Sequence, residues 1–434
     1  MLMKLQEEII GMYATNMDKK KIYIIIGIAV SIIILAILLF FLLGKESAPN
    51  GLSVGSETPF GTPGASSGNS GFSPNGLPIP APNEEFVVAP GQTFSKLRQI
   101  SASPSSGSTI FTEGSTTRIR FLEKATGNVY ETTDGSTNLT RITNTTIPKV
   151  EEVLWGPKGE SLILRYEKDA VIESFFAKIS TSTATTSPNN LGLKSLEGKF
   201  LERNIPSVTV SKNKDKIFYE TTQQSGAQFF TSNFNGEKPL LVWQFPIKDW
   251  VTRWLEGGTV SLTTKASGQS EGFLYFFNTK TKSLDRVLGK ISGLTTLPSS
   301  NKDFVLYSET TGNSFGLFAY STEVGSVETI VPTSLPEKCV WDESDNLIFY
   351  CAVPNTTPPG NYPDDWYLGF VSFSDSIWKY NLDTGETKQV GDIKNLSDQD
   401  IDAFDLQLSP NSDLLTFRNK RDFTLWALSI DSDQ

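Results

Sequence analysis

The segment Tyr-Pro-Asp-Asp-Trp-Tyr, at positions 362–367, has the residue types best suited to bind a ligand. The adjacent carboxylates of Asp364 and Asp365 offer oxygen ligands of the kind that Ca²⁺ prefers, and Trp366 and Tyr367 offer flat faces for a sugar ring. We therefore take these four residues as a candidate ligand-binding site. The alternative is structural: the aromatic side chains hold a long loop in place while both carboxylates stay solvated. No Asp-x-Asp-x-Asp-Gly motif is present, so no metal site is predicted.

The two cysteines of the chain, Cys339 and Cys351, lie at equal distances from Asp345 in a predicted hairpin. This spacing places them directly opposite each other. Residues opposed in a non-hydrogen-bonded pair are about 4.5 Å apart at Cα, which is within disulfide range. A disulfide is therefore one prediction, and two small buried thiols are the alternative.

The residue types that are missing exclude several classes of site. Among 434 residues there is no histidine, which rules out a Ser-His-Asp or Cys-His catalytic unit and every histidine-ligated metal centre. A formal net charge of −10 argues against a nucleic-acid partner, because such proteins normally carry a basic face. Carboxylate, tyrosine and lysine chemistry remains open, and no cofactor is predicted.

These candidate residues are embedded in a repeated pattern of short strands and tight turns from residue 85 onward. Leu154 to Ser180 is one unit: a strand ends in an aromatic residue, Gly-Pro-Lys-Gly-Glu turns, and two further strands follow. Comparable turns begin at six positions: Trp155, Ser211, Leu255, Pro298, Trp341 and Leu408. A spacing of about 43 residues in the middle of the chain is typical of β-propeller blades. We count seven units, and six or eight remain open.

Two of these units resemble a known repeat. Trp-Asp-Glu-Ser-Asp-Asn followed by Ile-Trp-Lys-Tyr-Asn-Leu-Asp-Thr-Gly (377–385), and Leu-Ser-Pro-Asn-Ser-Asp followed by Thr-Leu-Trp-Ala-Leu (424–428), resemble TolB-like and WD-repeat-like propellers. The resemblance implies an all-β, seven-bladed propeller. It implies no activity, because this fold is found in binding proteins, scaffolds and enzymes alike.

The last unit is one strand short, and the missing strand is predicted near the start of the domain. Lys-Leu-Arg-Gln-Ile, residues 96–100, reads as an outer strand without a blade of its own. We predict that it completes the seventh blade and so closes the ring, which removes an open sheet edge.

Two insertions interrupt the pattern, at residues 181–199 in the second unit and 354–375 in the sixth. The second lies between the second and third strands of its unit and contains the candidate site. In a propeller, such loops share a face with the connections between blades. Acidic and tyrosine side chains converging at the mouth of the channel would favour an enzyme, whereas a shallow aromatic rim would favour binding.

The N-terminal part predicts a membrane anchor. Residues 22–43 are uncharged and apolar, and as a helix they would span roughly 33 Å, enough to cross a bilayer. Lys19, Lys20 and Lys21 precede them, so the positive-inside rule places residues 1–21 in the cytoplasm. Residues 44–84, rich in Gly, Ser and Pro, are predicted to be a disordered linker before a propeller domain at 85–434. Met1 and Met17 are both candidate start residues.

Three functions fit this organisation. The first is a membrane-anchored, extracytoplasmic propeller that binds or scaffolds protein or glycan at the cell envelope. The second is an envelope hydrolase or lyase that uses loop carboxylates with a tyrosine. The third is an accessory docking subunit of a surface or secretion apparatus. Anchor, linker and propeller together resemble surface proteins of small-genome bacteria.

Overall fold

The computed structural model of the protein describes residues 95–183 and 192–430. The described residues form seven four-stranded antiparallel sheets. In six of them the strands follow one another in chain order, and the seventh takes its outer strand from the start of the described chain. The prediction of an all-β, seven-bladed propeller is thereby confirmed.

Blades 1 to 4 occupy the first part of the described chain. Their strands, from inner to outer, are β2 (Ser105–Glu113), β3 (Thr116–Glu123), β4 (Val129–Thr133) and β5 (Thr140–Arg141); β6 (Glu152–Trp155), β7 (Ser161–Lys168), β8 (Val171–Thr183) and β9 (Lys194–Phe200); β10 (Val208–Val210), β11 (Lys216–Gln223), β12 (Gly226–Asn233) and β13 (Leu240–Phe245); β14 (Trp250–Trp254), β15 (Thr259–Thr264), β16 (Glu271–Asn278) and β17 (Leu284–Ser292).

Blades 5 to 7 follow in the same order. Their strands are β18 (Thr296–Pro298), β19 (Phe304–Thr311), β20 (Ser314–Ser321) and β21 (Val327–Ile330); β22 (Cys339–Trp341), β23 (Ile348–Pro354), β24 (Asp375–Asn381) and β25 (Thr387–Asp392); β26 (Ala403–Leu408), β27 (Leu414–Asn419), β28 (Leu425–Ser429) and β1 (Leu97–Gln99). The described helices are α1 (Asp364–Tyr367) and α2 (Ile393–Ser397), with 3₁₀ turns at Pro157–Gly159, Glu256–Gly258 and Pro336–Lys338.

The recurring turn between first and second strands has a local chemical cause. In blade 7 the Ser409 hydroxyl donates to Asp413 at 2.6 Å and accepts the backbone N–H of Asp413 and of Leu414 at 3.1 and 3.0 Å. Blade 3 repeats the first contact between Ser211 and Asp215 at 2.8 Å. A side chain that bonds to nearby backbone in this way favours a turn over continued strand.

The alternating strand directions give the propeller two different faces. The turns between first and second strands lie on one face, which we call the turn face. The turns between second and third strands, and the connections between blades, lie on the other, which we call the loop face. Residue 96 lies at the turn face, because its carbonyl accepts the N–H of Ser429 at 2.8 Å where β28 ends.

Strand β1 closes the ring as the sequence predicts. Leu97 pairs with Leu428 and Gln99 with Trp426 in an antiparallel register. The N–H of Ile100 continues the pairing with the carbonyl of Leu425 at 2.7 Å. Blade 7 therefore has no missing outer strand, and the edge of β28 is covered.

The apolar cores lie between adjacent blades. Seven buried clusters each join two neighbouring blades of the described chain, including the pair formed by the last and the first blade. In that pair, Ile119 and Phe121 of β3 pack with Leu414 and Leu425 of blade 7. Successive side chains of a strand point to opposite faces of its sheet. Each sheet therefore contributes side chains to the clusters on both of its sides.

The two predicted insertions have different outcomes. Residues 355–374 form a true excursion between β23 and β24. In blade 2, by contrast, β8 continues to Thr183 and β9 begins at Lys194, so both ends of the predicted insertion 181–199 belong to strands. Residues 184–191, between these strands, lie outside the described residues.

The predicted cytoplasmic segment 1–21, membrane helix 22–43 and linker 44–84 also lie outside the described residues, as do residues 85–94 of the predicted domain, and these assignments stay predictions. Within residues 95–183 and 192–430, none of the helices has the length and apolar character needed to span a bilayer.

Candidate binding face

The loop of residues 355–374 is held on the loop face by an aromatic cluster. Tyr362, Trp366 and Phe373 from this loop are buried with Phe315 of blade 5 and Leu335 of the connection into blade 6. The rings of Phe315 and Tyr362 are 4.8 Å apart in an edge-to-face arrangement. Such pairs add to the apolar burial, so the cluster fixes the loop across blade 5.

The two predicted carboxylates bond to backbone groups. Asp364 Oδ2 accepts the N–H of Gly268, in the loop of blade 4, at 2.7 Å. Asp365 Oδ2 accepts the N–H of Asn361 at 2.8 Å. Both therefore stabilise the fold of the loop. In the described part of the chain, no cluster of acidic or sulfur side chains is arranged to hold a metal ion.

Trp366 and Tyr367 are placed differently from each other. Trp366 is only 3% exposed, and its indole N–H donates to Asp402 Oδ2 at 3.0 Å. Tyr367 is 43% exposed, and its hydroxyl donates to Glu337. Trp366 thus lacks a solvent-facing ring on which a sugar could stack, whereas Tyr367 has one. The ligand-binding role of the four-residue segment stays a prediction.

Three charged side chains lie fully buried beneath the loop. The Lys338 ammonium contacts Asp375 Oδ2 at 2.8 Å, Asp402 Oδ1 at 2.5 Å and the carbonyl of Ala403 at 2.8 Å. Asp402 also accepts the backbone N–H of Phe373 at 3.0 Å. We call Lys338, Asp375 and Asp402 the buried triad. It joins the connections that lead into blades 6 and 7 and anchors the end of the loop.

Burial shifts the proton affinities of both carboxyl groups. It raises the pKa of Asp375 to about 6, although the Lys338 charge opposes the rise. Burial would raise the pKa of Asp402 as well. There, however, the Lys338 charge and the N–H donors of Phe373 and Trp366 more than compensate, so the pKa lies below its ordinary value.

A carboxyl–tyrosine pair lies on the loop face beside the triad. Glu337 Oε2 accepts the Thr295 hydroxyl at 2.9 Å, and Glu337 Oε1 accepts the Tyr367 hydroxyl. Burial raises the pKa of Glu337, and the bond from Tyr367 only partly opposes this. Burial and the neighbouring Glu337 charge also raise the pKa of Tyr367 well above its ordinary value. The pair therefore combines two groups that favour their protonated forms.

Charged groups also line the central channel. Arg253 lies on the innermost strand β14, and the carboxylates of Glu343, Asp405 and Glu337 from blades 6 and 7 act on its charge. Burial lowers the pKa of Arg253, and these carboxylates partly restore it. At the turn face, Lys212 reaches from blade 3 to Glu343 of blade 6 at 3.1 Å. The ion pair between Lys212 and Glu343 therefore spans the channel at the turn face. Glu337 lies at the opposite end of the channel, at the loop face.

The loop also exposes apolar side chains. Leu368 is 69% exposed and Phe370 is 77% exposed, directly after α1. Their backbone is fixed, because the N–H of Leu368 bonds to Asp364 O at 2.9 Å and Trp366 is buried. The loop face therefore carries a converging carboxyl–tyrosine pair and, close to it in sequence, the exposed apolar side chains of Leu368 and Phe370.

Sequence reasoning did not identify Glu337, Lys338, Arg253 or Asp402. One sequence signal could have identified them: each is a charged residue within or directly before an innermost strand. Most positions there face the apolar interfaces between blades, so a charged residue is unusual. The cysteines, in contrast, lie where expected: Cys339 pairs with Cys351 across β22 and β23, and a disulfide joins their sulfur atoms.

Two surface cavities lie away from this face. One, of about 440 Å³, is lined by Phe276, Arg286 and Tyr320 among others, and the second, of about 230 Å³, by Ile330 and Tyr380 among others. Both lie at the outer parts of blades 4 to 6. They are lined by residues of turns, third strands and outer strands, and neither includes a residue of the loop 355–374.

Comparison with known proteins establishes the fold. No family model matches the sequence, and no curated protein matches it. Among solved structures, oligogalacturonate lyase from Vibrio parahaemolyticus is similar with a TM-score of 0.50 at 9% identity, over 80% of this chain and 97% of that chain. TolB from Acinetobacter baumannii has a TM-score of 0.40 at 12% identity, over 75% and 66%.

The WD40 domain of Neurospora crassa Pan2 has a TM-score of 0.45 at 11% identity, over 80% of this chain and 99% of that chain. Identities this low carry the fold and not the activity. The seven closed blades make this chain a seven-bladed β-propeller, and its repeat motifs resemble those of TolB-like and WD-repeat-like propellers.

Proposed function

We propose that this chain is a membrane-anchored propeller, displayed outside the cytoplasm, that binds a protein partner on its loop face. The observation that carries the proposal is the exposed pair Leu368 and Phe370 on a loop whose backbone is fixed. Exposed apolar side chains on a rigid element are typical of interface anchors, because little conformational entropy is lost when they bind. The anchor and the orientation rest on the sequence of residues 1–84.

The position of the chain start supports use of the loop face. The described chain begins at residue 95, beside the turn face, where Lys96 pairs with the end of β28. Lys96 therefore lies on the side of the propeller opposite Leu368 and Phe370, so a partner on the loop face leaves the first described residues uncovered.

The test is capture and quantitation of a partner with the full-length chain from detergent-solubilised membranes. Leu368→Ser combined with Phe370→Ser should weaken binding of the captured protein by about 30- to 900-fold, since two interface anchors at about 1–2 kcal/mol each contribute about 2–4 kcal/mol together. Val324→Ser is the matched control, because Val324 is 74% exposed on the turn face between β20 and β21. Equal affinities for wild type and the double variant would refute the proposal.

The same experiment separates a binding module from an accessory subunit. A single partner captured at fixed stoichiometry identifies a docking subunit of a larger apparatus. Several partners of related sequence identify a general binding module. If immobilised glycans capture the chain and no protein does, and Tyr367→Ala abolishes that capture, the partner is a glycan and the protein assignment is wrong.

A lyase or hydrolase is the second candidate, and Glu337 with Tyr367 favours it. Burial raises the pKa of both groups above their ordinary values, and Glu337 lies at the loop-face mouth of the channel, whose inner strand β14 carries the cationic Arg253. Oligogalacturonate, the carboxylate-rich substrate in the name of one fold neighbour, is a suitable probe. Formation of unsaturated sugar should require both Glu337 and Tyr367, and absence of turnover by wild type would remove this candidate for that substrate.

A further inference from the structure

The buried triad brings one amine and two carboxyl groups into direct contact away from solvent. We infer that the Lys338 Nζ and the Asp402 carboxyl condense to an intramolecular amide, with Asp375 transferring the protons. This cross-link would join the connection into blade 6 to the connection into blade 7. It is a covalent modification that the binding function does not require.

The first argument is the proximity of the reacting groups in a buried setting. All three side chains are fully buried, and Nζ lies 2.5 Å from Asp402 Oδ1, in direct contact with the carboxyl group. The rings of Trp366 and Phe373 lie 5.3 and 5.2 Å from Nζ. Fixed proximity of this kind replaces an intermolecular encounter, and exclusion of water disfavours the reverse hydrolysis.

The second argument is the set of donors around the Asp402 carboxyl. Its Oδ2 accepts the Trp366 indole N–H at 3.0 Å, the Phe373 backbone N–H at 3.0 Å and the Ser372 hydroxyl at 3.2 Å. When Nζ attacks the carbon, negative charge develops on this oxygen. Donors already in place stabilise that charge in the way an oxyanion hole does.

The third argument concerns Asp375. Its Oδ2 contacts Nζ at 2.8 Å, while its Oδ1 is buried without a hydrogen-bond partner in the described residues. A lone buried oxygen is costly when ionised and less so when the carboxyl is protonated. Burial also raises the pKa of Asp375 to about 6, so this group can hold a proton during the reaction.

The reaction balances without another reagent. The Lys338 ammonium gives one proton to the Asp375 carboxylate, and the resulting amine attacks the Asp402 carbon. The nitrogen then loses a second proton, and both protons reach Asp402 Oδ1. The carbon–oxygen bond breaks, water leaves, and Asp375 returns to its starting state. One cation and one anion disappear from the interior, which removes part of the cost of burying an ion triad.

The test is mass spectrometry of the full-length chain. The protein is purified in detergent, and cooperative unfolding shows that it is folded. It is then reduced and denatured before its mass is measured. We expect a mass lower by one water molecule. Digestion with a protease that cuts after lysine should leave the bond after Lys338 intact and yield one branched peptide containing Lys338 and Asp402. An unmodified mass with separate peptides would overturn the inference.

Two variants and one alternative product sharpen the result. Asp375→Asn should restore the full mass, whereas Lys420→Gln should keep the deficit, because Lys420 lies 5.1 Å from the same Trp366 ring but is not ion-paired among the described residues. A mass deficit without the branched peptide would indicate a cyclised aspartate and overturn the amide. A branch to Asp375 would overturn the choice of Asp402.

Discussion

Closure of the ring by β1 can be tested with one substitution, Leu97→Ala. Leu97 is buried in the cluster between blades 6 and 7, while its backbone pairs with Leu428. The change leaves the backbone pairing intact and removes only the side-chain packing. Truncation of a buried leucine costs about 2–5 kcal/mol, and we expect about 3 kcal/mol because β1 is a short outer strand with some room to relax.

The assay is urea unfolding followed by tryptophan fluorescence, with size-exclusion chromatography in parallel. Gln99→Ala is the matched control on the same strand, since Gln99 is exposed, and it should change the free energy of unfolding by less than about 0.5 kcal/mol. Deletion of residues 93–100 should cause unfolding or oligomerisation, because β28 then becomes an open edge. A deletion variant that stays monomeric with unchanged melting would refute closure by β1.

Two further predictions concern stability. The disulfide between Cys339 and Cys351 closes a sequence separation of 12, so its reduction should lower the free energy of unfolding by about 3 kcal/mol. The variant with both cysteines changed to serine should not respond to reductant. An equal response of the wild type and this variant would contradict the prediction. Burial raises the pKa of Glu220 above 4.5, against the opposing N–H groups of Trp250 and Asp249. The contribution of Glu220 to the free energy of unfolding is therefore complete below about pH 4. It is lost as the pH rises through the pKa that Glu220 has in the folded protein. Glu220→Gln should flatten that part of the pH–stability curve, and an unchanged slope would show that Glu220 is not the group responsible.

The repeat pattern predicted most of the fold because its signals are local. A serine and an aspartate four residues apart specify a turn whether or not the blades are assembled, as Ser409 and Asp413 show. Each such turn separates the first and second strands of one blade. The number of blades could therefore be counted from the turns. The opposition of Cys339 and Cys351 followed in the same way from their equal distance to one turn residue.

The candidate face was predicted only in outline. The position of the long loop followed from chain order, since any insertion between second and third strands lies on the loop face. The roles of its residues did not follow, because they depend on partners that are distant in sequence. Asp364 bonds to Gly268 and Tyr367 to Glu337, contacts that exist only once blades 4, 5 and 6 are adjacent.

The sequence alone determined the all-β repeat, the closing strand and the location of the insertion, because period, turn chemistry and chain order are encoded over a few neighbouring residues. Only the tertiary structure decided that Trp366 is buried, that Leu368 and Phe370 are exposed, and that Lys338 meets Asp375 and Asp402. The physical reason is that burial and charge pairing depend on which blades are neighbours, and ring closure sets that arrangement across the whole chain.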